Sequence, residues 1–239
     1  ETEDMLQKIQ MGGEVDKDLS VYFWKDSAEL EAQIKERILN DLETDAGIKF
    51  NSQKSWEFQN AVFNKNQKVS PASFQIISPY RGELFGTENI NLVVQKLINA
   101  WNYENHGEVG GITYGDKVIQ VMNRANRNAI YAYDCAQKKT AKVNIFNGEL
   151  GIVKVHGFDR EKVKWPKFRI KRFQVTFNNK DGIWVNYDGA SEVENNLELA
   201  YAISVHKAQG SEFERLYLIL PKSKKNLLSM ELMYTAITR

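Results

Sequence analysis

The sequence predicts an α/β fold in which a β-rich segment lies between two segments of mixed helix and strand. Residues 74–98 give a strand, a loop and a helix in succession, which is the order of a βα unit. Residues 112–196 give short, closely spaced strands separated by turns, a pattern typical of a small β-barrel. An apolar stretch from residue 197 then leads into a dense polar cluster, the most informative part of the chain.

The chain begins with a polar lead-in. Residues 1–20 contain Gly12-Gly13 and predict a linker or a poorly ordered segment. Residues 21–24 form a short candidate for a buried strand. A helix is expected next, because Ser27 can cap its start and Gly47 can end it. Apolar residues at helical spacing predict its buried face, which comprises Leu30, Ile34, Ile38 and Leu42.

The βα unit places one candidate functional residue. Residues 74–78 predict a buried strand, residues 79–82 break it, and Thr87 can cap the following helix. The buried side of that helix is predicted to comprise Ile90, Val93, Val94, Leu97 and Ile98. Loops at the carboxyl ends of strands carry the ligand sites of α/β proteins, and Arg81 lies in such a loop. The alternative is an ordinary surface arginine.

The β-rich segment is predicted from alternating residues and turn signals. Asn147-Gly148 and residues 178–182 are typical turns. The strands are expected at residues 117–122, 143–146, 150–155, 172–177 and 183–187.

Basic residues alternate with aromatic ones late in this segment. Cations that follow phosphates and rings that stack on bases are typical of single-strand binding, at about 1–3 kcal/mol per stacked base. A solvated loop whose rings fill the barrel explains the pattern equally well. The residues concerned are Lys154, Arg160, Lys162, Lys164, Trp165, Lys167, Phe168, Arg169, Lys171, Arg172 and Phe173.

The polar cluster in residues 204–212 lies between two apolar runs. Burial explains the runs but not a hydroxyl, an imidazole, an ammonium, an amide and a carboxylate packed so closely. We therefore expect their partners to lie outside the chain, as nucleotide, phosphate or nucleic acid. Leu197 and Leu199 favour a short strand, and alanine content predicts a helix over residues 200–209 that ends at a left-handed Gly210.

Composition excludes two classes of protein. No stretch approaches the roughly 20 apolar residues that a membrane-spanning helix needs, and no signal peptide is present. The single Cys135 excludes an internal disulfide and is compatible with a cytoplasmic location. The net charge is only +1, so any binding to nucleic acid must come from local patches.

Two segments resemble conserved helicase motifs. Residues 204–213 resemble motif V of superfamily 1 helicases, and residues 234–239 resemble motif VI. The resemblance is closest to the RecD-like branch (exonuclease V alpha-subunit type), whose motif IV region is similar to residues 78–91. Residues 115–123 and 146–153 are similar to that family's barrel insert.

This resemblance implies a domain organisation. Residues 21–111 and 197–239 are expected to form a RecA-like second motor domain of the P-loop NTPase type, with a parallel sheet flanked by helices. Residues 112–196 are expected to form an inserted small SH3-like β-barrel.

The resemblance also implies a role for each matching residue. Arg239 would be the arginine finger, and Arg81 would contact the terminal phosphate of ATP. The nucleotide would be bound by Gln209, Gly210 and Glu212. The backbone of single-stranded DNA would be bound by Ser204, His206 and Lys207. The run of basic and aromatic residues in the insert adds Lys164, Trp165, Lys167 and Arg169 as candidates for binding the same strand. Alternatives are a hydrogen-bonded core histidine for His206 and a helix-terminal arginine for Arg239.

Half of the expected active site is missing from the sequence. No G-x-x-x-x-G-K-[ST] loop, acidic Walker B strand or zinc-binding group is found. ATP and Mg²⁺ would therefore be bound mainly by an absent first domain, and the chain alone is expected to be inactive. It is interpreted as a piece of a longer helicase, without a membrane association. Its expected partners are single-stranded DNA, the Walker A domain of the same protein, and nuclease or helicase subunits.

Two alternatives stay open. One is a helicase-like module that binds nucleic acid without acting as a motor. The other is half of a viral-type RNA helicase.

Overall fold

The computed structural model describes residues 2–60, 73–155, 158–159, 169–170, 173–178, 180–221 and 235–236. The helices are α1 (Thr2–Met11), α2 (Ser27–Ala46), α3 (Ser55–Asn60), α4 (Thr87–Ile98), α5 (Ala100–Asn105) and α6 (Ala190–Asn196). The strands are β1 (Gly13–Asp16), β2 (Leu19–Val21), β3 (Phe74–Ile77), β4 (Lys117–Gln120), β5 (Ile130–Asp134), β6 (Lys139–Val143), β7 (Leu150–Val155), β8 (Phe158–Asp159), β9 (Arg169–Ile170), β10 (Phe173–Phe177), β11 (Ile183–Tyr187), β12 (Leu197–Leu199), β13 (Ala202–Ile203) and β14 (Arg215–Leu218).

The first residues have regular structure where a linker was expected. Helix α1 leads into an antiparallel hairpin of β1 and β2. The predicted buried strand at residues 21–24 is wrong, because only Val21 belongs to β2 and Phe23 is 59% exposed. These residues lie along α2 instead: the Arg37 guanidinium stacks on the Tyr22 ring, and the Phe23 carbonyl accepts from Gln33.

Helices α2 and α4 follow the predicted periodicity. In α2 the four expected residues are buried, and Gly47 ends the helix with a left-handed φ of 67°. Asp26, rather than Ser27, is the N-cap and accepts from the Glu29 amide. In α4 the N-cap is Gly86 rather than Thr87. Of the predicted face, the fully buried residues are Ile90, Val94 and Ile98, and the half-buried ones are Val93 and Leu97.

A three-stranded parallel sheet forms the predicted α/β core. Strand β3 lies at its centre, with β13 on one side and β14 on the other. Helices α2 and α4 cover the face that carries Phe74 and Ile76, which is why both helices need one apolar side. Helix α2 is also attached to β14, since Arg215 pairs with Asp45 at 2.7 Å and Tyr217 hydrogen-bonds to Asp41.

A seven-stranded antiparallel sheet, the insert sheet, forms the second layer in the order β12-β4-β7-β10-β11-β5-β6. Strands β7 and β11 have the predicted bounds, whereas β6 lies earlier than the predicted strand at residues 143–146 and β5 was not predicted. A bridge between Arg124 and Ile145 brings the extensions of β4 and β6 together. An SH3-like closed barrel stays a prediction.

The two sheets share a core and a very short connection. Ile119 and Leu150 of the insert sheet pack against Ile77 and Ile203 of the parallel sheet. Strand β12 belongs to the insert sheet and β13 to the parallel sheet, and only two buried residues, Ala200 and Tyr201, separate them. Residues 197–199, expected in the motor domain, therefore pair with the insert. The division of the chain into domains otherwise stays a prediction.

Candidate functional site

The loops that carry the helicase-like motifs leave the same edge of the parallel sheet. Ile77 of β3 lies opposite Ile203 of β13 and Leu218 of β14, so all three strands end at one level. The Ser78 amide donates to the Ile203 carbonyl at 3.2 Å, which joins the first residues beyond β3 and β13. Ligand sites of α/β proteins lie at this carboxyl edge.

The loop between β3 and α4 is held by its own hydrogen bonds. The Ser78 hydroxyl donates to the Phe85 carbonyl at 2.8 Å, and the Glu88 amide donates to the Arg81 carbonyl at 3.1 Å. A Cβ at Gly86 would overlap that same Arg81 carbonyl, so only glycine fits there. The backbone of Arg81 is therefore fixed while its side chain extends into solvent.

The Arg81 side chain lies in a cluster of charges. Its Nε donates to Glu88 Oε1 at 2.7 Å. That hydrogen bond raises the pKa of Arg81, and the charges of Glu198 and Glu88 raise it further. The Glu198 carboxylate also accepts from Lys207 Nζ at 2.6 Å. Glu198 thus contacts Lys207 directly and acts on Arg81 through its charge alone.

The polar cluster forms a turn rather than the predicted helix. Ala202 and Ile203 pair with β3, and residues 204–212, the polar turn, follow directly. The helix prediction is wrong because the β-branched Ile203 and Val205 favour the extended chain, and long-range pairing with β3 outweighs alanine propensity. Gly210 has the expected left-handed conformation, with a φ of 80°.

The polar turn exposes most of the candidate residues. Its apolar members Val205 and Ala208 are buried beside Ile119 and Leu150, which anchors the turn on the insert sheet. Ser204 and Lys207 are half-buried, and the Lys207 amide donates to the Ser204 hydroxyl at 3.4 Å. The candidates that face solvent are His206, Gln209, Gly210 and Glu212. The turn therefore presents hydroxyl, imidazole, amide and carboxylate groups at the carboxyl edge.

Several predicted site residues lie outside the described residues. These are Arg239, Lys164, Trp165 and Lys167, and for Arg169 only the backbone of β9 is described. Ala236, three residues before Arg239, is buried in the same core as Val205 and Ala208. Within the segment that resembles motif VI, Ala236 therefore shares a buried core with the polar turn. Lys154 of the basic run is half-buried, and burial lowers its pKa to about 8.

A buried network of polar side chains around Asp116 was not predicted from the sequence. The Asp116 carboxylate accepts from the Gln95 and Asn99 amides at 2.6 and 2.7 Å, from the Thr113 amide at 2.8 Å, and from the Tyr201 hydroxyl at 2.9 Å. Burial raises the pKa of Asp116 to about 6, and the four hydrogen bonds oppose that rise. The network fixes Tyr201, and with it the connection that leads into the polar turn.

Lys117 makes a second buried link at the next position. Its Nζ donates to the Phe74 carbonyl at 2.6 Å and to Gln75 Oε1 at 3.0 Å, and burial lowers its pKa well below the ordinary value. The Gln75 amide in turn donates to the Ala200 and Tyr201 carbonyls. Lys117 thus ties the insert sheet to β3. Two adjacent charges at the start of an apolar strand were the available sequence signal.

Membrane-spanning helices and metal sites are both absent from the described residues. The described helices contain none that is long and apolar enough to cross a membrane. The same part of the chain has no group of three or more histidine, cysteine, aspartate or glutamate side chains placed to hold a metal ion.

Comparison with known proteins agrees with the motifs. A family model described as UvrD-like helicase C-terminal domain matches residues 199–239. The ATP-dependent RecD2 DNA helicase of Deinococcus radiodurans is 32% identical over 170 residues, which cover 71% of this chain and 19% of that protein. The RecBCD enzyme subunit RecD of Buchnera aphidicola is 36% identical over 97 residues, 41% of this chain and 14% of that protein.

These matches identify a RecD-like superfamily 1 helicase C-terminal portion in this chain. An uncharacterized protein of Methanocaldococcus jannaschii is also 33% identical over 226 residues, 87% of the chain. The RecD-like chain spans less than a fifth of the length of the first relatives, 17% and 19%. Its parallel sheet and flanking helices are consistent with the RecA-like motor domain that the motifs predicted.

Proposed function

We propose that this chain is the carboxyl-terminal motor part of an ATP-dependent DNA helicase. The observation that carries the proposal is the position of Glu198, which binds Lys207 of the polar turn and acts by its charge on Arg81. The loops that carry these two cations come from separate motifs, and both leave the carboxyl edge of the parallel sheet. Such an edge suits a polyanionic ligand, either the phosphates of ATP or a nucleic-acid backbone.

In this proposal Arg81 and Arg239 act on ATP that is held mainly by another domain. An arginine offers five N–H donors and a permanent charge, which suit the charge that develops on a transferring phosphoryl group. The Glu88 partner of Arg81 is 57% exposed, so a phosphate can replace it at little cost. Gln209, Gly210 and Glu212 would contact the nucleotide, and Mg²⁺ is assigned no ligand among the described residues.

Single-stranded DNA would be held by the polar turn and the insert. His206 is exposed, and Ser204 lies beside it on a turn whose backbone is anchored by buried Val205 and Ala208. The basic residues Lys164, Lys167 and Arg169, with Trp165, would extend this contact. Closing and opening of the cleft between the two motor domains would then move the strand. We place this activity in the cytoplasm, and nuclease or helicase subunits are proposed partners by analogy with the RecBCD name of a relative.

The test uses the intact protein, because this chain alone lacks the phosphate-binding loop and is proposed to be inactive. We expect ATP hydrolysis that single-stranded DNA stimulates, and a loss of about 10³- to 10⁵-fold in turnover for Arg239→Ala. Arg81→Ala should lose turnover more than Arg81→Lys, which keeps the charge. Arg127→Ala removes an exposed cation from the insert and should hydrolyse ATP normally. Absence of strand-stimulated hydrolysis, or full turnover in Arg239→Ala, would refute the motor.

A second candidate is a module that binds nucleic acid without acting as a motor. The charge distribution favours it: residues 112–196 carry 15 Lys and Arg against nine Asp and Glu, whereas the rest of the chain carries 17 against 22. The net charge of +1 therefore hides a basic insert. Strand binding without ATP hydrolysis by the intact protein would select this candidate. Parallel titrations with DNA and RNA at one salt concentration would test the RNA helicase alternative.

A further inference from the structure

Three aromatic side chains share the face of the insert sheet that points away from its core. Ile130, Ala132 and Val185 are buried in that core. Because side chains alternate along a strand, their neighbours Tyr131, Tyr133 and Trp184 lie on the opposite face. Tyr133 lies directly across from Trp184 in the pairing of β5 with β11. The rings therefore form one surface.

A lysine from the edge strand completes this surface. Lys142 of β6 lies opposite Tyr131, and its Nζ is 5.3 Å from the centroid of the Tyr131 ring. Tyr131 is 56% exposed, and Lys142 is also exposed. Tyr133 and Trp184 are half-buried behind them. The surface of Tyr131, Tyr133, Trp184 and Lys142, here called the ring face, thus presents aromatic planes to solvent next to a cation.

The chemistry of the ring face favours one kind of occupant. The basic insert that carries it attracts a polyanion. Among polyanions, a single-stranded nucleic acid uses both features, since its bases stack on rings and its phosphates pair with a lysine. An acidic peptide would use the lysine but leave the rings without a matching group. A lysine on an edge strand also deters pairing with other strands, a role that requires no ligand.

We propose that the ring face binds single-stranded nucleic acid, with a base stacked on Tyr131 and a phosphate beside Lys142. The choice of ligand rests on the proposed function, but the ring face shares no residue with the polar turn or with residues 164–169. The nucleic acid would approach the ring face across β6, which is the edge strand of the insert sheet.

The test measures binding of a fluorescently labelled oligothymidine by the 239-residue chain at fixed salt. Tyr131→Ala is expected to weaken binding by about 5- to 150-fold, the usual range for one stacked base, whereas Tyr131→Phe keeps the ring and should bind normally. Phe23→Ala is a matched control, because Phe23 is 59% exposed on the β1–β2 side of the chain. Lys142→Ala should reduce the slope of log affinity against log salt by about 0.7.

Three results would overturn the proposal. The first is equal affinity for wild type, Tyr131→Ala and Lys142→Glu, as edge protection alone would give. The second is an abasic strand that Tyr131→Ala weakens as much as the oligothymidine. The third is displacement of the oligothymidine by an equal charge of polyglutamate, which would indicate a protein partner. These outcomes do not depend on ATP hydrolysis, so the ring face and the motor can fail separately.

Discussion

Replacing Glu198 by glutamine tests whether this carboxylate occupies the place of a phosphate. Its Oε2 lies 2.6 Å from Lys207 Nζ, and the two side chains are 45% and 31% exposed. An ion pair this exposed contributes about 1 kcal/mol or less, which corresponds to roughly a fivefold change in affinity. Glu198→Gln frees Lys207, so the chain should bind single-stranded DNA up to about fivefold more tightly at low salt.

The salt dependence of DNA affinity distinguishes a new phosphate contact made by Lys207 from the general effect of removing one negative charge. One additional phosphate contact steepens the slope of log affinity against log salt by about 0.7, measured by fluorescence anisotropy from about 50 to 200 mM salt. Glu194→Gln is the matched control, because it is exposed on α6 and changes the net charge equally. Adding Lys207→Ala to Glu198→Gln should abolish the gain. Equal slopes for the two glutamine variants would refute the reasoning.

Two further predictions concern stability. Gly86→Ala should lower the free energy of unfolding, measured in urea, by about 1–3 kcal/mol, since the new Cβ would overlap the Arg81 carbonyl. Gly82→Ala is the control: its Cβ would meet only Glu88 Oε2 at 3.6 Å, so its stability should not change. Equal stabilities of these two variants would contradict the close packing of the loop. Asp116 has a native pKa of about 6, above its ordinary 3.8, so the stability that its neutral form contributes below pH 4 is lost as the pH rises through 6. The excess stability of wild type over Asp116→Asn should therefore shrink by about 2 kcal/mol between pH 4 and pH 7. A constant difference would show that Asp116 does not titrate in this range.

Local patterns in the sequence predicted the elements that depend on local chemistry. The spacing of Leu30, Ile34, Ile38 and Leu42 predicted the buried face of α2, because a helix repeats every 3.6 residues whatever it packs against. Gly47 ends that helix in a left-handed conformation, which a residue without a Cβ adopts easily. The strand and helix of the βα unit followed from the same kind of pattern.

Long-range contacts account for what the sequence did not show. Residues 202–203 become a strand because β3, more than 120 residues earlier in the chain, supplies the hydrogen bonds. Glu198 was not predicted as a site residue, because Lys207 bonds to it, and Arg81 comes within range of its charge, only in the folded chain. The candidate residues were found through short motifs and, in the insert, through a run of basic and aromatic residues. That the loops of Arg81 and Lys207 leave one edge of a sheet followed only from the parallel register of β3 and β13.

The connection between the insert sheet and the parallel sheet is short and fully buried. Strand β12 ends at Leu199 and β13 begins at Ala202, while the two residues between them are fully buried and the Ala200 amide is bonded to the Lys117 carbonyl at 2.9 Å. A force that displaces the insert sheet is therefore transmitted through the backbone of these two residues to β13 and the polar turn, because both residues are held by burial. In the proposed motor, nucleic acid that displaces the insert sheet would therefore also displace the polar turn, where the nucleotide is proposed to bind.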